Sequence, residues 1–141
     1  MATDSALRKV SIERTAPSEF LLTNSGGGQV TINTGEGSGF TPVELLLAAI
    51  GGCTAIDVDI LTSRRAEPQS FTVDVEATKV RDGDGNHLAD IEVIFKVVFP
   101  DGEAGDAARA ILPDAVRKSH ERLCTVGRTV QLGAAIATKI E

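Results

Sequence analysis

Hydrophobic and polar positions change period along this chain, and the changes mark its elements. Lys9-Val10-Ser11-Ile12-Glu13-Arg14 alternates one for one, as a strand does with one face on a core and one in water. Phe20-Leu21-Leu22-Thr23 follows, then the turn-forming run Asn24-Ser25-Gly26-Gly27-Gly28, then Gln29-Val30-Thr31-Ile32-Asn33. The pattern predicts three antiparallel strands in a meander. Gly35-Glu36-Gly37-Ser38-Gly39 is a flexible connection too short to link domains. A helix start comes next, with Thr41 as N-cap, Pro42 at the first helical position and Glu44 completing a Thr-x-x-Glu capping box. From Leu45 to about Leu61 the chain is apolar nearly all round, broken by Asp57 and Asp59, which predicts a helix buried on several sides. Arg64 and Arg65 are expected in its last turn, opposing the negative end of the helix dipole, and Pro68 is expected to stop it.

Strict alternation returns at Phe71, Val73, Val75 and Ala77, opposite Thr72, Asp74, Glu76 and Thr78. The turn Asp82-Gly83-Asp84-Gly85-Asn86 reverses the chain into a strand over Ile91 to Phe99. A second helix is predicted from about Asp106 to Leu123, kinked or broken at Pro113, and a last strand from Thr129 to Ile140. The order is β-β-β-α-β-β-α-β, an α+β domain spanning 1–141, with two main helices against one face of a largely antiparallel sheet. A single small sheet does not cover a helix that is apolar on all sides, so a second subunit is expected over the central helix, giving a homodimer.

Composition narrows the function classes. The 141 residues are 42% hydrophobic and 24% charged, with no Trp or Tyr and a net charge of −6. A soluble domain with a core of Val, Ile, Leu and Ala is expected. An acidic chain without a Lys/Arg run lacks the electrostatic footprint for nucleic acid or for an anionic membrane surface. The N-terminal residues carry no secretory pattern, and the longest unbroken apolar stretch, Leu45 to Gly52, is too short to span a bilayer. The expected address is cytoplasmic, where structural disulfides are rare.

Against that background the two cysteines stand out. Cys53 follows Gly51 and Gly52 in mid-helix, where each glycine costs roughly 1 kcal/mol relative to Ala. Bare backbone there leaves room for a close neighbour, or for a ligand to reach the sulfur. Cys124 is expected at the end of the second helix. Each could be a packed core thiol, but a redox pair accounts for both at once. A metal site is not expected, because no close ligand pair such as C-x2-C is present, although His120 with Cys124 and Cys53 with Asp57 share helical faces. No Gly-x-Ser-x-Gly elbow supports serine hydrolysis, and His87 lies in a turn. A reactive thiolate needs a cation nearby. Arg64 is roughly 16 Å along the helix from Cys53, so Arg14, from another element, is the better candidate.

The segment Thr41-Pro42-Val43-Glu44-Leu45-Leu46-Leu47-Ala48-Ala49-Ile50-Gly51-Gly52-Cys53-Thr54-Ala55 resembles the helix of the OsmC/Ohr family, the osmotically induced protein C and organic hydroperoxide resistance proteins. Leu123-Cys124-Thr125-Val126 is similar to that family's second cysteine segment. The resemblance implies an intertwined homodimer with two sites at the subunit interface. It implies Cys53 as the peroxidatic cysteine, Cys124 as the resolving one, a dithiol reductant, and no metal or organic cofactor. Two positions depart from the family pattern. In its peroxidase branches a glutamate directly follows the helix-opening proline and holds the activating arginine. Here Val43 stands at that place and Glu44 comes one residue later, turned by roughly 100°. Thr125 follows the second cysteine where the family often has Pro.

The expected function is a thiol-dependent reductase for organic hydroperoxides or hydrogen peroxide. The apolar helix around Cys53 favours organic ones. A dimeric, non-enzymatic module binding a small apolar ligand is the alternative, and another reaction of a cysteine nucleophile is a third.

Overall fold

The computed structural model describes residues 5–141. Its elements are β1 (Val10–Ala16), β2 (Glu19–Asn24), β3 (Gln29–Ile32), α1 (Pro42–Ser63), β4 (Ser70–Asp82), β5 (Gly85–Val98), α2 (Glu103–Lys118), a single π turn (Ser119–Leu123) and α3 (Thr125–Leu132). The chain divides into two compact units, Met1–Leu46 and Leu47–Glu141.

The first unit holds the expected meander, β1-β2-β3, all pairs antiparallel. The β2–β3 turn is made by Asn24, whose Oδ1 accepts the backbone N–H of Gly26 at 3.1 Å and of Gly28 at 2.8 Å. Gly27 takes φ +86° between them, a conformation open to glycine at no steric cost. The same unit ends in the opening of α1, where the capping box forms as the sequence dictates. Thr41 N–H donates to Glu44 Oε1 at 2.8 Å, and Glu44 N–H donates to Thr41 Oγ1 at 3.1 Å.

The second unit is built on the β4–β5 hairpin. Phe71, Val73, Val75 and Ala77 are half-buried while Thr72, Asp74, Glu76 and Thr78 are exposed, the alternation expected of a sheet with one covered face. Across the pair, Val73 stands opposite Phe95 and Val75 opposite Val93. Phe71 and Phe95 meet edge to face, with ring centroids 6.2 Å apart. The register slips between Glu76 and Thr78, where Asp90 on β5 takes φ +54°; one extra residue bulges there. Both strands run farther than their apolar patterns predict, because the polar ends pair through the hairpin down to Asp82 and Gly85.

Helix α1 meets this hairpin at Gly51, where an added Cβ would overlap Val75 Cγ2 and come within 3.5 Å of Val73. The mid-helix glycine thus permits the helix to lie close on the strand. Gly51→Ala is therefore expected to destabilise the protein by about 1–2 kcal/mol in urea titration. The overlap costs up to about 3 kcal/mol and outweighs the roughly 1 kcal/mol of helix propensity gained.

Several expectations need correcting. There is no last strand over Thr129 to Ile140: Thr125–Leu132 is helical, and 134–141 has no regular structure. Val126 and Val130 are spaced by four, a helical repeat. Gly133 then closes the helix in the left-handed conformation, φ 65° and ψ 50°. The strands form two sheets, of three and of two strands, not one. Helix α2 begins at Glu103 and runs unbroken through Pro113 to Lys118. Arg64 and Arg65 lie beyond the end of α1, not in its last turn. With 22 residues and a mean hydropathy of 1.8 over its most apolar window, α1 is also long and apolar enough to cross a bilayer. Its buried face, Ile50, Thr54, Val58 and Thr62 at every fourth position, is that of a helix packed within protein.

Candidate active site

Two elements of the second unit, α1 and the start of α3, converge on one cluster. Cys53 and Asp57 lie four residues apart on α1 and so share a face. Cys124 comes from the far end of the unit, as the N-cap of α3. The Cys53 sulfur, a carboxylate oxygen of Asp57 and the Cys124 sulfur all lie within 4.8 Å of one another. Both thiols are free; Cys124 is buried and Cys53 half-buried.

Local structure explains how Cys124 is held. After α2 the chain makes a π turn closed by Cys124 N–H on Ser119 C=O at 2.9 Å. Cys124 then adopts an extended conformation, φ −74° and ψ 101°, and its Sγ accepts the Gly127 N–H at 3.2 Å. A thiol here takes the place usually filled by a Ser, Thr or Asp oxygen at a helix start.

A buried hydrogen-bond chain supports the cluster from behind. Ser119, fully buried, donates through Oγ to Asp57 Oδ2 at 2.8 Å and lies 2.7 Å from Thr54 Oγ1. These bonds fix the Asp57 carboxylate, and among the described residues no buried side-chain nitrogen or oxygen lacks a hydrogen-bond partner. Burial pushes the Cys124 thiol above the ordinary thiol range; the Gly127 N–H opposes that shift, and the neighbouring Cys53 and Asp57 add to it.

A cleft of about 370 Å³ opens beside the cluster, lined mainly by apolar side chains including Ile50, Val93, Phe95 and Val116. Cys124 and Thr54 are in its wall. The cleft thus reaches the cluster from the Cys124 side.

The structure brings Cys53 and Cys124 together as the sequence reading expected. It adds Asp57, Ser119 and Thr54, which that reading assigned no role. A signal for Asp57 was present, as a carboxylate one turn from Cys53 in an otherwise apolar helix. Ser119 carried none, because only the packing of the π turn against α1 brings it there. His120 and Cys124 do not act as a helical pair: the His120 ring faces Gln131 Nε2 at 3.5 Å. Arg14 is in the first unit, on β1 opposite Phe20. Glu44 is engaged in the capping box, and the Thr41 N–H and hydroxyl hold its carboxyl below the ordinary range.

Comparison with known proteins agrees with this architecture. The family model for OsmC-like proteins matches residues 35–139. An uncharacterised protein of Mycobacterium tuberculosis is 25% identical over 130 residues, covering 92% of this chain and 93% of its own length. The crystal structure of a hypothetical protein from Aquifex aeolicus shares the fold with a TM-score of 0.73 at 23% identity, covering 92% of this chain and 91% of that one. The organic hydroperoxide resistance protein of Bacillus subtilis superposes with a TM-score of 0.54 at 17% identity, covering 88% and 90% of the two chains.

Proposed function

We propose that this chain, which belongs to the OsmC-like protein family, is a thiol-dependent peroxide reductase of the cytoplasm. The observation that carries the reading is the meeting of two free thiols, remote in sequence, within 4.8 Å. Cys53, the more accessible of the two, is the nucleophile. Its thiolate attacks the terminal peroxide oxygen, the O–O bond breaks, and the alkoxide leaves as an alcohol after taking a proton. The resulting Cys53 sulfenic acid is attacked by Cys124, forming the disulfide and releasing water. An external dithiol then reduces the bridge and restores both thiols.

The supporting structure fits this cycle. Closing a bridge from a separation of no more than 4.8 Å to the roughly 2 Å of an S–S bond is the scale of a side-chain movement, and Cys124 lies at the junction of the π turn and α3. The apolar cleft suits the hydrocarbon part of an organic hydroperoxide. It also suits the second reading, a module that only binds a small apolar ligand. Free-thiol titration after one equivalent of cumene hydroperoxide separates the two: the reductase loses both thiols, and a binding module loses neither.

Arg14 is the cation proposed to favour the Cys53 thiolate, with Glu44 left mainly to its capping role. Replacing Arg14→Met should slow alkylation of Cys53 at neutral pH by about tenfold, the effect of roughly 1.4 kcal/mol of lost charge stabilisation. Equal alkylation rates in the two proteins would clear Arg14 of the role.

The active form is proposed to be an intertwined homodimer. Ile56 and Ile60 on α1 are exposed at 63% and 50%, and Ile136 and Ile140 near the C-terminus are almost fully exposed. Apolar surface on that scale calls for a partner. Sedimentation at micromolar concentration should give twice the chain mass, and Ile56→Glu with Ile60→Glu should shift the protein to monomer. A wild-type monomer under those conditions would contradict the assignment.

A further inference from the structure

We propose that in the reduced protein Cys53 Sγ, the Asp57 carboxylate and Cys124 Sγ form a three-ligand site for one thiophilic divalent cation of the zinc class. The inference depends on the reductase reading only in taking both thiols to be reduced at rest, and it adds a metal-guarded resting state to that site. The three donor atoms already lie within 4.8 Å of one another. A tetrahedral zinc ion with ligands at about 2.0–2.3 Å needs its donors somewhat under 4 Å apart. The difference is roughly 1 Å at most, the scale of a side-chain rotation.

Four further features point the same way. Cys53 and Asp57 are spaced by four on α1, the offset that sets two ligands on one helical face. The backbone N–H of Gly127 donates to Cys124 Sγ at 3.2 Å, a bond that favours a thiolate ligand. Ser119 holds one Asp57 oxygen at 2.8 Å and is itself met by Thr54 at 2.7 Å, the outer-shell support that orients a ligating carboxylate. Finally, the three converging side chains are two thiols and a carboxylate, each able to give up a proton to bind a cation. Two thiols and a carboxylate match a borderline-soft cation such as Zn²⁺ better than a hard one. Three protein ligands leave a fourth position for water.

The site couples metal to redox state. Bound metal occupies both sulfurs and blocks attack on peroxide. If peroxide does oxidise the pair, the two thiolates give up two electrons and join as a disulfide. The peroxide takes those electrons and two protons to become alcohol and water, and the cation leaves with its valence unchanged. The spacing of the cysteines in sequence hid this site, because the ligands come from two distant segments.

Co²⁺ titrated without oxygen into the reduced full-length chain is the test. One Co²⁺ per chain is expected, with an intense sulfur-to-cobalt charge-transfer band in the near ultraviolet and the visible bands of tetrahedral cobalt. Asp57→Asn should bind at least about tenfold more weakly, and Ser119→Ala should also weaken binding, as outer-shell changes do, with folding of both verified by circular dichroism. The disulfide form should show no bands. Absence of the charge-transfer band in the reduced wild type, or equal affinity in both variants, would overturn the site. Thiol loss to peroxide, measured on a metal-free portion of the same sample, keeps the two readings apart. Thiols lost without cobalt bands defeats the metal site alone, and bands without thiol loss defeats the reductase alone.

Discussion

Cys53→Ser is expected to reduce peroxide turnover to the uncatalysed background, a loss of at least about a thousandfold, while fold and dimer persist. The size follows from the chemistry. A serine hydroxyl at neutral pH is not ionised, and its hard oxygen is a far poorer nucleophile toward peroxide oxygen than a thiolate, so the covalent route closes. The change is small in volume, and Cys53 is half-buried rather than in the deep core, so stability should move little. Steady-state consumption of cumene hydroperoxide with excess dithiol measures the effect. Retention of wild-type activity would remove Cys53 from the nucleophile's place.

Cys124→Ser has the second largest expected effect, and a different signature. The variant should consume one equivalent of peroxide per chain and then stall, with Cys53 held as a sulfenic acid that dimedone traps. Continued turnover then depends on external thiol meeting that sulfenic acid in solution. The loss of an adjacent, oriented thiol should slow the cycle on the order of a hundredfold. The wild type carries a pH signature for the same step. Burial raises the Cys124 thiol above the ordinary range, so the neutral form dominates near pH 7 and the attacking thiolate grows as pH rises. Disulfide closure should accelerate with pH through and beyond the normal thiol range, and stopped-flow detection of bridge formation reads it directly. Stability follows the opposite sign. A raised folded-state value stabilises the protein while Cys124 is protonated, and that contribution is lost as pH climbs through the folded value.

Much of the fold was legible because local chemistry and tertiary packing agree. Thr41, Pro42 and Glu44 specify a helix start that the structure forms bond for bond. The alternation from Phe71 to Thr78 reads directly as the covered and open faces of β4. The C-terminal segment misled for a physical reason. Thr125, Val126, Thr129 and Val130 are β-branched and read as strand, but Cys124 caps a helix at one end and Gly133 closes it at the other. Capping outweighed side-chain propensity there. The expectation that α1 is buried on several sides is met along one face only, at Ile50, Thr54, Val58 and Thr62, while Ile56 and Ile60 face outward.

The candidate site was legible in part. Both cysteines were identifiable, but the environment that makes their meeting interpretable was not. Asp57 was visible as an interruption of an apolar pattern, yet its partner Ser119 reaches it only through the π turn after α2. No periodicity encodes a π turn, so the hydrogen-bond chain from Thr54 through Ser119 to Asp57 had to come from three-dimensional packing. The glycine pair illustrates the same division. Sequence shows that Gly51 and Gly52 serve some purpose. Only the structure shows that Gly51 accommodates Val75, while a Cβ added at Gly52 would point into open space, with nothing beyond its own stretch of helix within 4 Å.

The measurement that reaches the central claim most directly is peptide mass spectrometry of the wild-type chain after one equivalent of organic hydroperoxide, alkylated without prior reduction. The two sulfurs begin within 4.8 Å of each other, so the account predicts a Cys53–Cys124 bridge within a single chain as the dominant product, reversed by dithiothreitol. Oxidised protein carrying both cysteines alkylated, or Cys53 oxidised with Cys124 still free as the stable end product, would contradict it.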